Sequence, residues 1–240
     1  MIIQSALFVF LTGLIFGSFA TVLSYRIPLN KGFLTSRSKC IHCNHKLGFF
    51  QLFPVFSYLW QKGRCKFCHK KIPFSYPAIE IICGFIFLAI FFKDGISSEH
   101  IIIYFTFFTL FVASLIDIKT YEVPIKLQIL LLCFAGIYAF QNSLSFKEFL
   151  INPFIIYFCG ITLKYSFYFI RNKDGLGLAD INLAFIITIF IGIENFVYFM
   201  FLSGLLGLAF GLIWQRLFKQ NLFPFFPSLS IAFLISYGIL

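Results

Sequence analysis

The sequence predicts an all-α polytopic membrane protein with about eight transmembrane helices and a cysteine-rich cytoplasmic loop after the first. Of its 240 residues, 60% are hydrophobic and only 12% are charged, and the mean hydropathy is +0.93. Soluble domains are much more polar than this. The apolar residues also form runs that approach the roughly 20 residues a spanning helix needs. Finally, two C-x-x-C pairs lie in the long polar stretch 24–75.

The apolar runs divide the chain into predicted spans. The first run lacks a basic n-region and an A-x-A-like cleavage site, so we interpret it as a retained helix and not as a signal peptide. Several runs are short, and such helices tilt or are completed by flanking residues. The predicted spans are 2–23, 77–92, 101–117, 125–140, 150–170, 181–193, 196–214 and 223–240. They define a first helix at 1–23, a cysteine-rich loop at 24–76 and a membrane domain at 77–240.

Lysine and arginine residues set the predicted orientation. Stretch 24–75 carries ten of them, so the positive-inside rule places this loop in the cytoplasm and the N-terminus outside. Eight spans leave only Lys93 and Lys147 in outside loops. Topology therefore accounts for the net charge of +10. We expect the lipid bilayer as a partner and no nucleic acid, and the sequence specifies no oligomeric state.

Two aspartates are predicted at membrane depth, where burying a charge is costly and an ionisable residue is a functional candidate. Asp117 ends one apolar run and Asp180 begins another, and the predicted topology puts both at cytoplasmic helix ends. Two carboxylates that share a water can hydrolyse a peptide bond. The ionised one removes the water proton, and the protonated one polarises the scissile carbonyl. The sequence therefore predicts Asp117 and Asp180 as a catalytic pair.

A structural interpretation of each aspartate is also open. Asp180 could cap its helix, and Asp117 could pair with a nearby lysine at the interface. Gly175 and Gly177 precede Asp180 by five and three residues, and such glycines allow the backbone to approach a neighbouring segment or a bound peptide. For the other acidic candidates a solvated role is adequate; these are Asp174, Glu122 and Glu194.

The cysteines of the polar loop predict a metal site. Cys40 and Cys43 form one C-x-x-C pair, and Cys65 and Cys68 form a second after 21 intervening residues. Four thiolates at two such corners suit a tetrahedral structural Zn²⁺, which would order a loop too small to build its own core. Disulfides and a redox pair are the alternatives, but a reducing cytoplasm disfavours disulfides, and the sequence has no thioredoxin-like context for a redox pair. Three histidines of the loop are spare ligands: His42, His45 and His69.

Two further segments carry a resemblance to a known family. The first apolar run contains GLIFGSFATVLSYRIP, with Gly17, Ser18 and Phe19. The polar loop contains PVFSYL and GRC and leads into YPAIEIICG, with Glu80 and Gly84. These segments resemble the first helix and the cytoplasmic domain of the bacterial type IV prepilin peptidases. That family, also called prepilin leader peptidase/N-methyltransferase, consists of GxGD-type intramembrane aspartic peptidases.

The resemblance continues through the membrane domain and covers nearly the whole chain. Asp117 is followed after six residues by Pro124, as in the family's first catalytic motif. Gly177 to Asp180 fits the G-x-G-D motif, with Ala179 in place of the second glycine. Three other departures from the family pattern are Thr21 for Asn, Asn182 for Lys, and Phe226 for Gly in the closing P-F-G-P-like segment.

The resemblance implies an activity that composition alone does not. It implies cleavage after a glycine in the basic leader of prepilins or pseudopilins, at the cytoplasmic face of the bacterial inner membrane. It further implies N-methylation of the new terminal residue with S-adenosylmethionine, in support of type IV pilus or type II secretion assembly. A proton- or cation-coupled transporter would explain the aspartates but not the cysteine loop. An inactive relative that serves in assembly is a further alternative.

Overall fold

The computed structural model describes residues 2–30, 38–172, 177–219 and 222–239. Within these ranges the regular structure is helical, and pairing of extended backbone is limited to two isolated bridges. The chain forms two compact units, Met1–Ser97 and Ser98–Leu240. The α-helices are α1 (Ile2–Arg26), α2 (Phe56–Trp60), α3 (Ser75–Asp94), α4 (Ile101–Thr120), α5 (Ile125–Gln141), α6 (Asn152–Arg171), α7 (Leu178–Phe218) and α8 (Phe226–Ile239). A 3₁₀ turn covers Phe49–Gln51, and a π-helical turn, Lys147–Ile151, precedes α6.

The helices confirm a multi-pass, all-helical membrane protein. Five segments are long and apolar enough to cross a bilayer, and α5 and α8 are apolar but shorter. The first five predicted spans and the last one each coincide with a helix to within a few residues. The polar loop holds the 3₁₀ turn and the short helix α2. The full count of eight spans remains a prediction.

The predicted sixth and seventh spans both lie in α7. This element has 41 residues, which at 1.5 Å per residue would be roughly 60 Å long, about twice the hydrocarbon core of a bilayer. Gly192 interrupts it with φ 75° and ψ 163°, a conformation that L-residues with a Cβ rarely adopt. The break falls at the end of the predicted sixth span, so α7 consists of two helical segments.

The ends of the other helices follow local chemistry. Pro77 and Pro153 lie in the first turns of α3 and α6, where the missing N–H removes no helical hydrogen bond. Pro124 immediately precedes α5 in an extended conformation. Tyr121 and Asn172 end α4 and α6 in the left-handed conformation, which closes the last turn.

In the first unit, α1 and α3 pack through glycines. Gly13 and Gly17 are four residues apart and therefore share one helix face. A Cβ added at Gly13 would lie 2.7 Å from the Cα of Gly84, and one at Gly17 would lie 2.6 Å from the Cα of Glu80. These distances leave no room for a side chain, so the two backbones are in direct contact. The G-x-x-x-G spacing of the sequence could have indicated this interface.

In the second unit, α8 packs against both α4 and α7. The Phe233 ring of α8 stacks on Phe107 of α4 at 4.8 Å and meets Phe190 of α7 at 5.7 Å. The hydroxyl oxygens of Ser114 and Ser230 lie 2.9 Å apart and join α4 to α8. The closing helix therefore links the two helices that carry Asp117 and Asp180.

We expect Gly17→Ala to destabilise the first unit because its methyl group would meet backbone atoms that cannot move aside. Overpacking of this kind costs about 1–3 kcal/mol, which would be measured as a lower unfolding temperature of the purified protein in detergent. Gly136→Ala is the matched control. Apart from its chain neighbours and the backbone of its own helix, nothing lies within 4 Å of a Cβ added there. Equal effects of the two substitutions would contradict close packing of α1 and α3.

Candidate active site

Asp117 lies in the last turn of α4 and is buried, with 7% of its surface exposed. Its Oδ2 accepts a hydrogen bond of 3.1 Å from the backbone N–H of Phe226, the first residue of α8. A helix N-terminus presents free N–H groups and a partial positive charge, which suit a carboxylate. The fold therefore places a backbone donor against a buried acid that is 109 residues away in the sequence.

Asp180 lies in the first turn of α7 and is half-buried. It occupies the third helical position, while Gly177 is the N-cap residue. The backbone amide of Gly177 hydrogen-bonds the Asp180 carboxylate, an arrangement similar to half of a capping box. A Cβ at Gly177 would lie only 3.0 Å from Oδ2 of Asp180. The glycine thus leaves space for the carboxylate, and Asp180 caps its helix without being the N-cap residue.

The two carboxylates come together although they belong to different helices. They are close enough to repel each other electrostatically. Each has one backbone amide that orients it: Phe226 for Asp117 and Gly177 for Asp180. Two interacting, oriented carboxyl groups are the components that acid–base hydrolysis requires, because one can stay protonated while the other is ionised.

The segment before α8 is fixed against α7, and this fixes the amide that reaches Asp117. A Cβ at Gly207 would overlap the Phe225 ring at 2.4 Å, and one at Gly211 would lie 3.2 Å from the Phe223 ring. Both rings thus occupy space that a side chain on α7 would fill. The sequence identifies the closing segment only as a motif with Phe226 at a glycine position. It does not reveal the backbone contact between Phe226 and Asp117.

A polar bridge connects α5 with α7 next to the aspartates. The side-chain amide of Asn182 donates a hydrogen bond of 2.7 Å to Oε1 of Gln128. Gln128 in turn donates one of 2.9 Å from Nε2 to the carbonyl of Val123. Val123 lies in the connection that follows Asp117, and Asn182 is two residues after Asp180. The bridge therefore ties the backbone near one aspartate to the helix of the other, and Gln128 was not recognised from the sequence.

The four loop cysteines converge in the first unit. Each C-x-x-C pair lies in a small hairpin closed by one bridge, Lys39 to Lys46 and Arg64 to Lys71. All four sulfur atoms lie within 4.8 Å of one another, and Sγ of Cys40 is 3.9 Å from Sγ of Cys68. Sulfurs bound to zinc at about 2.3 Å in a tetrahedron would be about 3.8 Å apart. The donor set and its spacing therefore fit a metal ion such as zinc.

Two thiols of this cluster, those of Cys40 and Cys43, have pKa values shifted in opposite directions. Hydrogen bonds from the backbone amides of Cys43 and His42 lower the pKa of Cys40 to about 6. At Cys43 the amide of His45 acts in the same direction, but desolvation and the neighbouring sulfurs outweigh it and raise the pKa to about 11. Several thiolates so close together repel one another unless a cation lies between them.

The histidines of the loop are not members of this cluster. The ring of His45 instead lies against the Phe67 ring, tilted by 32° with centroids 3.5 Å apart.

The remaining predicted residues are distributed over both units. In the first unit, Gly17 packs against Glu80, the Ser18 hydroxyl hydrogen-bonds the Glu80 carboxylate, and Gly84 packs against Gly13. Phe19 is 39% exposed. In the second unit, Pro124 precedes α5, and Ala179 is half-buried in the first turn of α7. Gly175 lies outside the described residues.

Comparison with known proteins matches two families in succession. Residues 11–93 match the Bacterial Peptidase A24 N-terminal domain, and residues 104–212 match the Type IV leader peptidase family. A Prepilin leader peptidase/N-methyltransferase of Bacillus subtilis is 30% identical over 97% of this chain and 93% of its own length.

Relatives of the same name in other bacteria agree with this match. The protein from Vibrio cholerae is 29% identical over 94% of this chain and 93% of its own length. The protein from Pectobacterium carotovorum is 27% identical over 87% and 83%. No solved structure matches the chain.

Proposed function

Because the chain belongs to the type IV leader peptidase family, we propose that Asp117 and Asp180 are the catalytic pair of a prepilin leader peptidase that also methylates its product. The relatives are named for both activities, and this agrees with the bifunctional enzyme predicted from the sequence. The substrates are prepilins or pseudopilins, cut after the glycine of the leader. The comparisons lend no support to the transporter alternative.

The observation that carries this proposal is the meeting of two carboxylates, each oriented by a backbone amide. One ionised carboxylate takes a proton from a water, and the water oxygen attacks the carbon of the scissile carbonyl. The protonated partner hydrogen-bonds the carbonyl oxygen, where negative charge develops. Collapse of the tetrahedral intermediate breaks the C–N bond, and the carboxyl group that took the water proton gives it to the leaving amine. The products are the free leader and a mature N-terminus.

The amide of Phe226 has a defined part in this mechanism. It donates to Oδ2 of Asp117 and so holds the carboxylate in a fixed orientation. Since the contact uses backbone, it tolerates Phe in place of Gly at this position. The amide of Gly177 holds the Asp180 carboxylate in the same way.

The membrane arrangement follows from the charge distribution. Eight spans are obtained when the segments of α7 before and after Gly192 each cross the membrane and the shorter helices α5 and α8 also cross. Region 1–23 is then the first span, 24–76 the cysteine-rich domain and 77–240 the peptidase domain. The positive-inside rule puts the active site at the cytoplasmic face of the bacterial inner membrane and the N-terminus outside.

The two implied cofactors differ in how well the described residues fit them. Cys40, Cys43, Cys65 and Cys68 fit a structural Zn²⁺, which would hold the two hairpins together. S-adenosylmethionine, which the methyltransferase name implies, is charged and polar. The cavity of about 530 Å³ beside α6 is lined by apolar side chains such as Phe154 and Phe158 and does not fit it. No methyl-transfer step is therefore assigned to that cavity.

We expect Asp117→Asn and Asp180→Asn each to reduce prepilin cleavage by about 100-fold or more, because an amide cannot exchange the required proton. The measurement is the mass of the product after incubation of purified protein with a prepilin and S-adenosylmethionine. Glu194→Gln is the control, since this acid is exposed and has no part in the mechanism. Cleavage that survives either Asp substitution would remove that residue from the catalytic pair.

The bridge between Gln128 and Asn182 predicts coupled effects. We expect Asn182→Ala and Gln128→Ala each to lower kcat by about 10-fold to 100-fold with KM nearly unchanged, since a displaced catalytic group costs rate more than binding. The double variant should be no worse than Gln128→Ala alone, because that substitution already removes the hydrogen bond to Asn182 together with the one to Val123. Additive losses in this cycle would show that the two residues act separately.

Metal analysis of the purified protein should find about one zinc per chain. Cys65→Ser and Cys68→Ser should each lose the metal and make the loop sensitive to protease, because the hairpins lack a core of their own. Cys133→Ser and Cys159→Ser are matched controls, as these exposed thiols lie outside the cluster. Full zinc content in the loop variants would refute the tetrathiolate site.

A further inference from the structure

The polar loop contains a run of large apolar side chains that the protein leaves uncovered. We define residues 49–60 as the aromatic segment; it comprises the 3₁₀ turn, a tight turn at Pro54 to Phe56, and α2. Phe50 is 85% exposed and Trp60 is 89% exposed. Scattered apolar residues on a surface are ordinary, but so many large ones within twelve residues indicate a contact with another apolar phase or partner.

The aromatic segment is attached to a predicted membrane helix by a part-buried hydrogen bond. The N–H of Val55 donates to Oε2 of Glu80 at 2.7 Å, and Glu80 is only 9% exposed. Val55 has φ +60° and ψ −51°, a γ-turn conformation that is rare and strained, especially for a β-branched residue. The N–H of Phe56 closes this turn by donating to the carbonyl of Pro54. The strained turn thus directs the Val55 amide into the space between α1 and α3.

The hydrogen bond from Val55 to Glu80 fixes the level of the aromatic segment along α3. Glu80 is five residues beyond Ser75, where α3 begins, so the turn lies roughly 7.5 Å along the helix from its start. Both α1 and α3 have the length and hydropathy of membrane spans. A contact at that level lies near the end of the candidate span, where the bilayer interface is expected. Phe53 and Phe56 flank the turn and are 49% and 58% exposed, so both rings are available for contact at that level of α3.

The charges around the aromatic segment complement an anionic surface. The described residues 38–79 include no Asp or Glu. They carry seven exposed basic side chains, which are Lys39, Lys46, Lys62, Arg64, Lys66, Lys70 and Lys71. Exposed aromatic rings beside lysines and arginines are typical of segments that lie in the membrane interface and attract anionic lipids.

We propose that residues 49–60 insert into the cytoplasmic interface of the bilayer as an aromatic anchor, with the neighbouring basic side chains on anionic phospholipid headgroups. The occupant of this apolar surface is therefore lipid. The anchor would hold the cysteine hairpins of the same unit against the membrane surface. It would also explain why a loop that connects two spans carries an uncovered tryptophan.

Trp60 is a natural probe of this contact, since the chain has only one other tryptophan, Trp214. We would reconstitute the full-length Trp214→Phe protein in vesicles that contain phosphatidylglycerol and lipids brominated near the headgroup. The anchor predicts that these lipids quench Trp60 emission by about twofold, more than lipids brominated near the chain end, because interfacial residues penetrate only about 5–10 Å. Iodide in the buffer should quench weakly.

Two comparisons make the test discriminating. Full-length Trp60→Phe protein reports Trp214 in α7, so its quenching should not depend on anionic lipid, whereas that of Trp60 should weaken in purely zwitterionic vesicles. Strong iodide quenching of Trp60 with no effect of brominated lipid would show that the aromatic segment faces water, and would overturn the proposal. Protection from both quenchers would instead indicate a protein cover, such as a second copy, and would equally overturn it.

Discussion

The buried carboxylate of Asp117 is the constraint around which the second unit is organised. A carboxyl group in an apolar interior is costly unless donors replace the lost water. Here the replacement is the N–H of Phe226 at the start of a helix, where the amide is free and the local dipole is favourable. The first turn of α8 must therefore reach one point on α4. The segment that leads into α8 therefore packs its Phe223 and Phe225 rings against α7, at glycines where a side chain would occupy the same space.

The use of backbone amides as donors also explains how the geometry of the site is kept where the sequence departs from the family pattern. Phe226 contributes a backbone amide to Asp117, so its side chain is free to serve the core, where it is almost fully buried. Asn182 has a side-chain amide, which forms a neutral bridge to Gln128. Gly177, in contrast, retains the family residue because a methyl group there would press on the carboxylate of Asp180. Backbone contacts thus preserve the geometry while neighbouring side chains change.

The first unit solves a different problem, since its loop region is too small to bury an apolar core. Four converging thiols supply one means of ordering it, and the hydrogen bond from Val55 to Glu80 supplies another. Glu80 is paired with a backbone amide and with Ser18, so a buried acid again serves as an acceptor for groups that are distant in sequence. Close glycine packing of α1 and α3 provides the rigid base on which these contacts depend.

The sequence by itself determined the fold class, the positions of the apolar helices and the family, and comparison confirmed the family. It also predicted the aspartate pair and the cysteine cluster, because charged residues in apolar runs and C-x-x-C spacing are local signals. Only the tertiary structure decided the bridge from Asn182 to Gln128 and the amide of Phe226 on Asp117. Hydropathy and motif spacing record what each segment prefers, whereas contacts between residues 54 or 109 positions apart depend on how complete helices pack.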